Sequence, residues 1–582
     1  MEKIHGGEAV ARMLAAEGVT HVFGIIDGTY FGFYSNLKKH GIELVSPRHE
    51  ACAVHMAGAY ARTTGKLGVC MASNGPGVAN VLPGIAVENG EGNRVLVITS
   101  TRRTGIGYPD RGGTFQYFNQ SAVIKPMSKW SGAVPQYDRI PEFMKRAFRM
   151  SWKGRPGIVH VDIPENIING KFGALPVPEP SSYRLTKPLE PTQAQIEQAA
   201  DMLIQAEQPV IHAGSGVIHA QAAAELEQAA ELLGAMITTS WGARGCTAEN
   251  RDFVTPMLYV QLNHKVRTDA DLVLCIGSRM GETDWWGKAP YWRTPDKQQV
   301  IQVDNDEDII GMNKPIALGI LSDAKVFLAR LVEELKRRNY STPNARREKV
   351  SHFANLRRQE REKLDKKLKD LEDPLNSAHV AGACMKAFKD DAFLVIDGGN
   401  TAIWANFFHE VRTAGTVLGT AKFGMLGAGV AQALGAAVAH PDREVYCIIG
   451  DGAMGFNIQE VETAVRNKLR VIYLVCCDKQ WGMVKMNQQF ALKPLKTLLF
   501  KSLNENETIN ADFAEMRFDK MAEAMGAHGE RVDKASDLAG AIERCKASGT
   551  CGVIHIDVDP VKHMWAPSLI DFKKMHEEPA GK

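Results

Sequence analysis

The chain has 582 residues, 69 of them basic and 67 acidic, with 45% apolar side chains, which implies about three or four domains and a large core. Balanced charge excludes a bulk attraction to nucleic acid or an anionic membrane surface, so neither is expected as a partner. No apolar run reaches the roughly 18–20 residues of a membrane-crossing helix, MEKIHGGEAVARML reads as a helix start rather than a signal sequence, and ten scattered cysteines without a CxxC spacing read as free thiols in the cytoplasm.

Three α/β segments follow one another. In the first, 1–172, apolar strands are expected at HVFGII, GVCMASNG, RVLVITS and GIVHVDIP, alternating with helical patterns over 8–17 and 51–62. A proline-rich surface linker, ALPVPEPSSYRLTKPLEPT, leads to the second segment, 190–338, with strands at QPVIHAGSG, AMITTS, LVLCIGS and QVIQVDND. A charged run, ARREKVSHFANLRRQEREKLDKKLKDLED, reads as a solvated helix between domains. The third segment, 376–560, carries strands at FLVIDGG, EVYCIIGDG, VIYLVCC and GVIHIDVD, and 561–582 reads as a tail. Strands alternating with helices predict an α/β fold of three doubly wound parallel-sheet domains.

The chemistry-bearing residues fall at expected strand ends. GDGAMGFNIQEVETAVRNKLRVIYLVCCDK brings Gly450-Asp451-Gly452 out of one buried strand and Asp478 out of the next. A strand–turn–helix of this kind offers backbone N–H groups to phosphate, and two carboxylates at neighbouring strand ends suit one hard cation such as Mg²⁺. An ordinary crossover with a tight glycine turn gives the same local pattern. In the first segment, SPRHEACAVHMAGAYARTTGK sets Glu50 between a strand end and an apolar helix, where a dipole-stabilised carboxylate is the plain alternative. Asn74-Gly75-Pro76-Gly77 follows a strand, GGTFQYFNQ holds Phe115 and Gln116, and IDGGNTAIWA holds Gly399, Asn400 and Thr401.

Together these stretches resemble the thiamine diphosphate enzymes, in particular the acetolactate synthase-like and pyruvate oxidase/decarboxylase group, over essentially the whole chain to about residue 560. Their signature is GDG, a helix and a strand, then an asparagine pair; here Cys477-Asp478 stands in place of that pair. The resemblance implies pyrimidine-binding, central and diphosphate-binding domains in that order, with thiamine diphosphate and Mg²⁺ as cofactors. It gives Glu50 the catalytic role of bonding the aminopyrimidine, for which an apolar setting that favours a shared proton would suit it. Gln116 would bond a substrate carbonyl or carboxylate. Asn74, Gly75, Gly399, Asn400, Thr401, Gly450, Gly452 and Ala453 would line the cofactor, with the Gly424 carbonyl facing its amino group and Leu426 wedged beneath it. Asp451, Asp478 and the Gln480 carbonyl would hold the metal. Asp27, Gly28, His49, Phe115, Trp481, Met483 and Asn487 would lie near the substrate.

Asn487 stands where acetolactate synthases carry tryptophan, which marks a branch away from the biosynthetic enzyme. The implied activity is C–C bond formation or cleavage on a small 2-oxo acid or 2-hydroxy carbonyl compound. Alternatives within the group are a 2-hydroxyacyl-CoA lyase or oxalyl-CoA decarboxylase, a sulfoacetaldehyde acetyltransferase-like enzyme and an FAD-containing oxidase; a non-catalytic cofactor-binding homologue is the remaining one. Residues Gly277 to Asp304 could line a crevice for FAD, ADP or CoA, with Asp304 facing a ribose. His563, Lys573 and Lys574 in the tail would close over an anionic substrate or stay solvated. In the family the cofactor lies between two subunits, so a homodimer is the minimum expected assembly and a homotetramer the fuller one.

Overall fold

Every apolar run expected as a strand forms one, and each lies inside a six-stranded parallel sheet. The computed structural model describes residues 3–107, 112–368, 375–567 and 569. In the first domain the sheet runs Glu43–Val45, His21–Gly24, Gly68–Ala72, Val95–Thr101, Ile158–Pro164, Trp130–Ala133. In the third it runs Val417–Gly419, Phe393–Asp397, Val445–Gly450, Val471–Cys477, Gly552–Asp557, His528–Val532. Counted along the chain, both have the order 2-1-3-4-6-5. The central sheet (Val254–Thr255, Met236–Thr239, Pro209–Ala213, Leu272–Ile276, Gln299–Asp304, Leu318–Leu321) has instead the order 3-2-1-4-5-6, that of dinucleotide-binding folds. The fold is thus α/β with three doubly wound sheets, the outer two a matched pair.

Parallel strands covered on both faces need continuous apolar sequence. Gly68–Ala72, Val445–Gly450 and Val471–Cys477 meet that demand, being buried at every residue. Because the strands are parallel, their carboxyl ends share one edge, where ligands of open α/β sheets bind. Asn74, Gly399, Asp451 and Asp478 all follow such ends.

Helix Glu50–Thr64 of the first domain packs on helix Ala428–Ala439 of the third, within one apolar cluster that spans both domains. Small residues allow the approach: a Cβ on Gly435 would sit 2.3 Å from the Met56 carbonyl oxygen. The charged connector forms helix Asn344–Leu368. It is solvated along most of its length, but Arg346 and Arg357 are buried. Arg346 donates to the Leu203 and Leu233 carbonyls, and Arg357 to those of Glu249 and Asn250. The helix is therefore fastened to the central domain.

Gly435→Ala should lower the thermal midpoint, at a cost of about 1–3 kcal/mol for overpacking. Gly281→Ala, whose added methyl meets nothing within 4 Å, should leave the midpoint unchanged in the same thermal scan.

Candidate active site

Three adjacent strands of the third domain, Phe393–Asp397, Val445–Gly450 and Val471–Cys477, carry Gly399 to Thr401, Asp451 and Asp478 to one place. Asp451 and Asp478 are 8% and 7% exposed. Asp451 accepts from the Gly452 N–H at 2.7 Å and the Lys479 N–H at 2.8 Å, and Asp478 accepts from the Gln480 side-chain amide at 3.1 Å. Burial pushes both carboxyls above the ordinary range, and the Asp478 charge pushes Asp451 further up. Among the described residues, neither pairs with lysine or arginine; the His563 ring, 3.9 Å from Asp478 Oδ2, is kept neutral by burial, which pushes it down to about 4.

Asn400 is 4% exposed, yet neither atom of its side-chain amide has a hydrogen-bond partner among the described residues. A Cβ placed on Gly482 would lie 2.7 Å from Asn400 Nδ2 and 3.0 Å from Asp478 Oδ2, so a glycine is needed to keep this corner open. Two unneutralised carboxylates beside an unpartnered amide are the donor set that a divalent cation with a diphosphate would satisfy. Ala453 is buried in helix Asp451–Asn457, whose N-terminal turn faces the same corner. Gly399, Gly424, Leu426 and Met483 line a cavity of about 240 Å³, closed on one side by Trp241 and Arg244 of the central domain. Gly424 (φ 67) adopts the left-handed conformation that its residue type favours.

The first-domain candidates form a separate group. His49 caps helix Glu50–Thr64, its Nδ1 accepting from the Ala51 N–H at 3.1 Å. Glu50 is half-buried and accepts from the Asn80 amide at 2.9 Å. One chain does not supply the apolar enclosure expected around it. Asn74 donates to the Gln116 carbonyl at 2.9 Å, and a Cβ on Gly75 (φ 65) would lie 2.6 Å from that same oxygen. Gln116 itself has a φ of 54, and Phe115 is 73% exposed. Asp27 and Gly28 are exposed after the first strand, where Asp27 accepts from the Thr29 N–H at 2.8 Å and the Gly28 carbonyl accepts from Asn169.

Asp451 and Gly452 line a second cavity, of about 560 Å³, with Phe456, Trp481 and Phe513. Neither third-domain cavity is lined by Glu50, Asn74 or Gln116. Trp481 packs edge-on against Phe513, with ring centres 4.6 Å apart. Asn487 is exposed on helix Gly482–Leu492 and lines neither cavity. Lys573 and Lys574 lie outside the described residues. His563 is not on a free tail: it is 2% exposed, on helix Pro560–Met564.

Sequence reasoning missed two buried acids and misplaced one buried base. Asp397 accepts from the Gly398 N–H at 2.6 Å and the Gly429 N–H at 2.7 Å, anchoring the start of helix Ala428–Ala439; burial pushes its carboxyl up to about 6. Its place at a strand end was the available signal. Glu460 is fully buried and accepts from the Arg48 and His49 N–H groups, both at 3.0 Å. It thereby holds the turn that presents Glu50, although in sequence it reads as the polar face of an amphipathic helix. His563, read from the sequence as part of a lid or a solvated tail, is the misplaced base.

In the central domain, a cavity of about 430 Å³ is lined by Gly214 to Gly216, Gly277 and Asp304, with Arg94, Arg155, Arg279 and Lys422 around it. Burial pushes Asp304 up to about 6. Trp285 and Trp292 are core residues.

The sequence matches the description "Thiamine pyrophosphate enzyme" in three parts: the N-terminal TPP binding domain over residues 4–123, the central domain over 196–331 and the C-terminal TPP binding domain over 397–556. It is 30% identical over 563 residues to a glyoxylate carboligase of Escherichia coli O157:H7, covering 94% of this chain and 91% of the relative. It is 27% identical over 573 residues to a probable acetolactate synthase large subunit of Methanococcus aeolicus, covering 96% and 92%. A sulfoacetaldehyde acetyltransferase of Castellaniella defragrans is 28% identical over 574 residues, covering 94% and 91%. With all three domains matched, the chain belongs to the thiamine pyrophosphate enzyme family and is a thiamine diphosphate-dependent enzyme of the acetolactate synthase-like carboligase group.

Proposed function

We propose that the protein is a Mg²⁺-requiring carboligase that joins two small carbonyl compounds, with a 2-oxo acid as donor. The observation that carries this reading is the buried pair Asp451 and Asp478 beside the unpartnered Asn400 amide. The relatives' names, a carboligase, an acetolactate synthase and an acetyltransferase, favour joining or transfer over simple cleavage.

Thiamine diphosphate, when bound, supplies the nucleophilic carbon and the electron sink. Asp451, Asp478 and the Gln480 carbonyl would hold the cation, while N–H groups at Asn400, Gly452 and Ala453 would meet the diphosphate. Leu426 and the Gly424 carbonyl would orient the pyrimidine. Glu50 would hold a proton at its ring nitrogen, and Gln116 would bond the substrate carbonyl.

Because Glu50 and Gln116 line neither third-domain cavity, a second copy of the chain is proposed to complete each site. Exposed Ile26, Phe31, Phe115 and Phe456 lie near the two half-sites and would be covered in such a homodimer; pairing of dimers would give a homotetramer. Ten buried free thiols accord with a cytoplasmic setting. The central cavity, ringed by three arginines and by Lys422, which burial pushes down to about 7, lies at the sheet's topological switch point and supports an additional nucleotide of the FAD, ADP or CoA class. The absorbance spectrum and the heat-released supernatant of purified protein would identify it.

Two outcomes test this reading. Glu50→Ala should lose proton exchange at the cofactor's reactive carbon by about 100-fold or more and keep its thermal midpoint; near-normal turnover would refute the role. The raised carboxyls give the second. They are protonated at low pH, so the apo chain loses stability as they ionise from the ordinary carboxylate range, near 4, upward. Mg²⁺ must displace that proton. Mg²⁺ affinity should therefore rise with pH toward neutrality, with proton release measurable by calorimetry in two buffers. Asp478→Asn should flatten this dependence and load cofactor at lower Mg²⁺, and unchanged metal dependence would count against the pair as ligands.

A further inference from the structure

His563 stands at the junction of the third-domain site and the C-terminal helix. Its Nδ1 lies 2.5 Å from the Ser377 hydroxyl, and its Nε2 lies 3.1 Å from the Thr401 hydroxyl and 3.9 Å from Asp478 Oδ2. Its carbonyl accepts from the Trp404 indole N–H at 2.7 Å, which fixes the backbone as well as the ring. A second link runs in parallel. The Gln480 amide donates both to Asp478 Oδ2 at 3.1 Å and to the Pro560 carbonyl at 2.8 Å. Asp478 is thus tied to helix Pro560–Met564 through Gln480, while the imidazole, bonded to Thr401, stands against the same carboxylate oxygen. Beyond it, Met564, Ala566 and Leu569 pack with Ile403, Trp404 and Phe407 of the helix that starts at Asn400.

Groups that bond a ligand from behind set its orientation, and their loss commonly weakens metal binding about 10-fold or more. A buried histidine held only by core contacts would have no reason to face both Thr401 and Asp478. We propose that His563 is a positioning residue of the cation–diphosphate site, holding the Thr401 hydroxyl by a hydrogen bond and walling in the Asp478 carboxylate that Gln480 bonds, so that cofactor binding is felt in residues 559–566. This rests on the reading that Asp451 and Asp478 hold the cation.

The test compares wild type, His563→Phe, which keeps a ring of similar volume, His563→Gln, which restores an amide donor, and Asp478→Ala. Mg²⁺ affinity is measured by calorimetry at saturating thiamine diphosphate, and amide hydrogen exchange is followed over 559–566 with and without cofactor. The Phe variant should bind Mg²⁺ about 10-fold or more weakly with an unchanged apo thermal midpoint, the Gln variant should recover most of the loss, and cofactor should slow exchange in 559–566 in wild type but not in the Phe variant. Wild-type affinity in the Phe variant would overturn the proposal, as would an equal loss in Phe and Gln variants matched by a fall in apo midpoint. If Asp478→Ala alone loses affinity, only the role of His563 falls; if Asp478→Ala also binds Mg²⁺ normally, the reading of the site falls with it.

Discussion

Two carboxylates buried side by side, with no neutralising lysine or arginine among the described residues, are the constraint around which the third domain is arranged. Asp451 and Asp478 each follow a fully buried strand, so neither can turn to solvent. Main-chain N–H groups of Gly452 and Lys479 relieve part of the charge on Asp451, and the Gln480 amide part of that on Asp478. What remains is a site that favours protons or a cation, since like charges at close range in a low-dielectric pocket resist joint ionisation. The glycines around it follow from the same demand: side chains at 452 or 482 would meet Trp481, Asn400 or Asp478 at 3.0 Å or less.

The sheet pair gives this site its counterpart. The first and third domains share one strand order, and each presents its functional loops at strand carboxyl ends. Helices Glu50–Thr64 and Ala428–Ala439 lock the two domains together through alanine and glycine faces. That packing uses up the third-domain face of the helix behind Glu50 and leaves its first residue half-exposed at the end. Glu460 then fixes the turn before it from the third-domain side. One chain therefore holds Glu50 and the Asp451–Asp478 corner rigidly but apart, and the proposed pairing of two chains would join them.

The interior of each sheet was legible in the sequence because a parallel strand buried on both faces must be continuously apolar. The edge strands of the three six-stranded sheets escaped notice: Glu43–Val45, Trp130–Ala133, Val254–Thr255, Leu318–Leu321, Val417–Gly419 and His528–Val532. They are short and most are half-covered, so their pattern falls below what two-residue periodicity can mark. The site divided in a similar way. Asp451, Asp478 and Asn400 could be found because strand ends and glycines flag them. Glu460 could not, and His563 was named only as part of a tail, because each is buried by a partner far away in sequence: Glu460 by residues 48 and 49, His563 by residues 377, 401 and 404. Periodicity on their own helices assigns them to solvent.

The loop before helix Ala428–Ala439 shows how the central domain enters the arrangement. Its Lys422 and Phe423 N–H groups donate to Glu91 of the first domain at 2.8 and 2.9 Å, and the Lys422 ammonium reaches Ser215 of the central domain at 3.3 Å. Gly424 and Leu426 follow at once, and both line the third-domain cavity. Asp397 holds the far end of the loop through the Gly429 N–H. A segment rich in glycine has little stiffness of its own, so its shape must come from these anchors. Leu426 is placed by contacts to all three domains at once. The central domain therefore has a structural part in the site through Lys422, in addition to any ligand its own cavity holds.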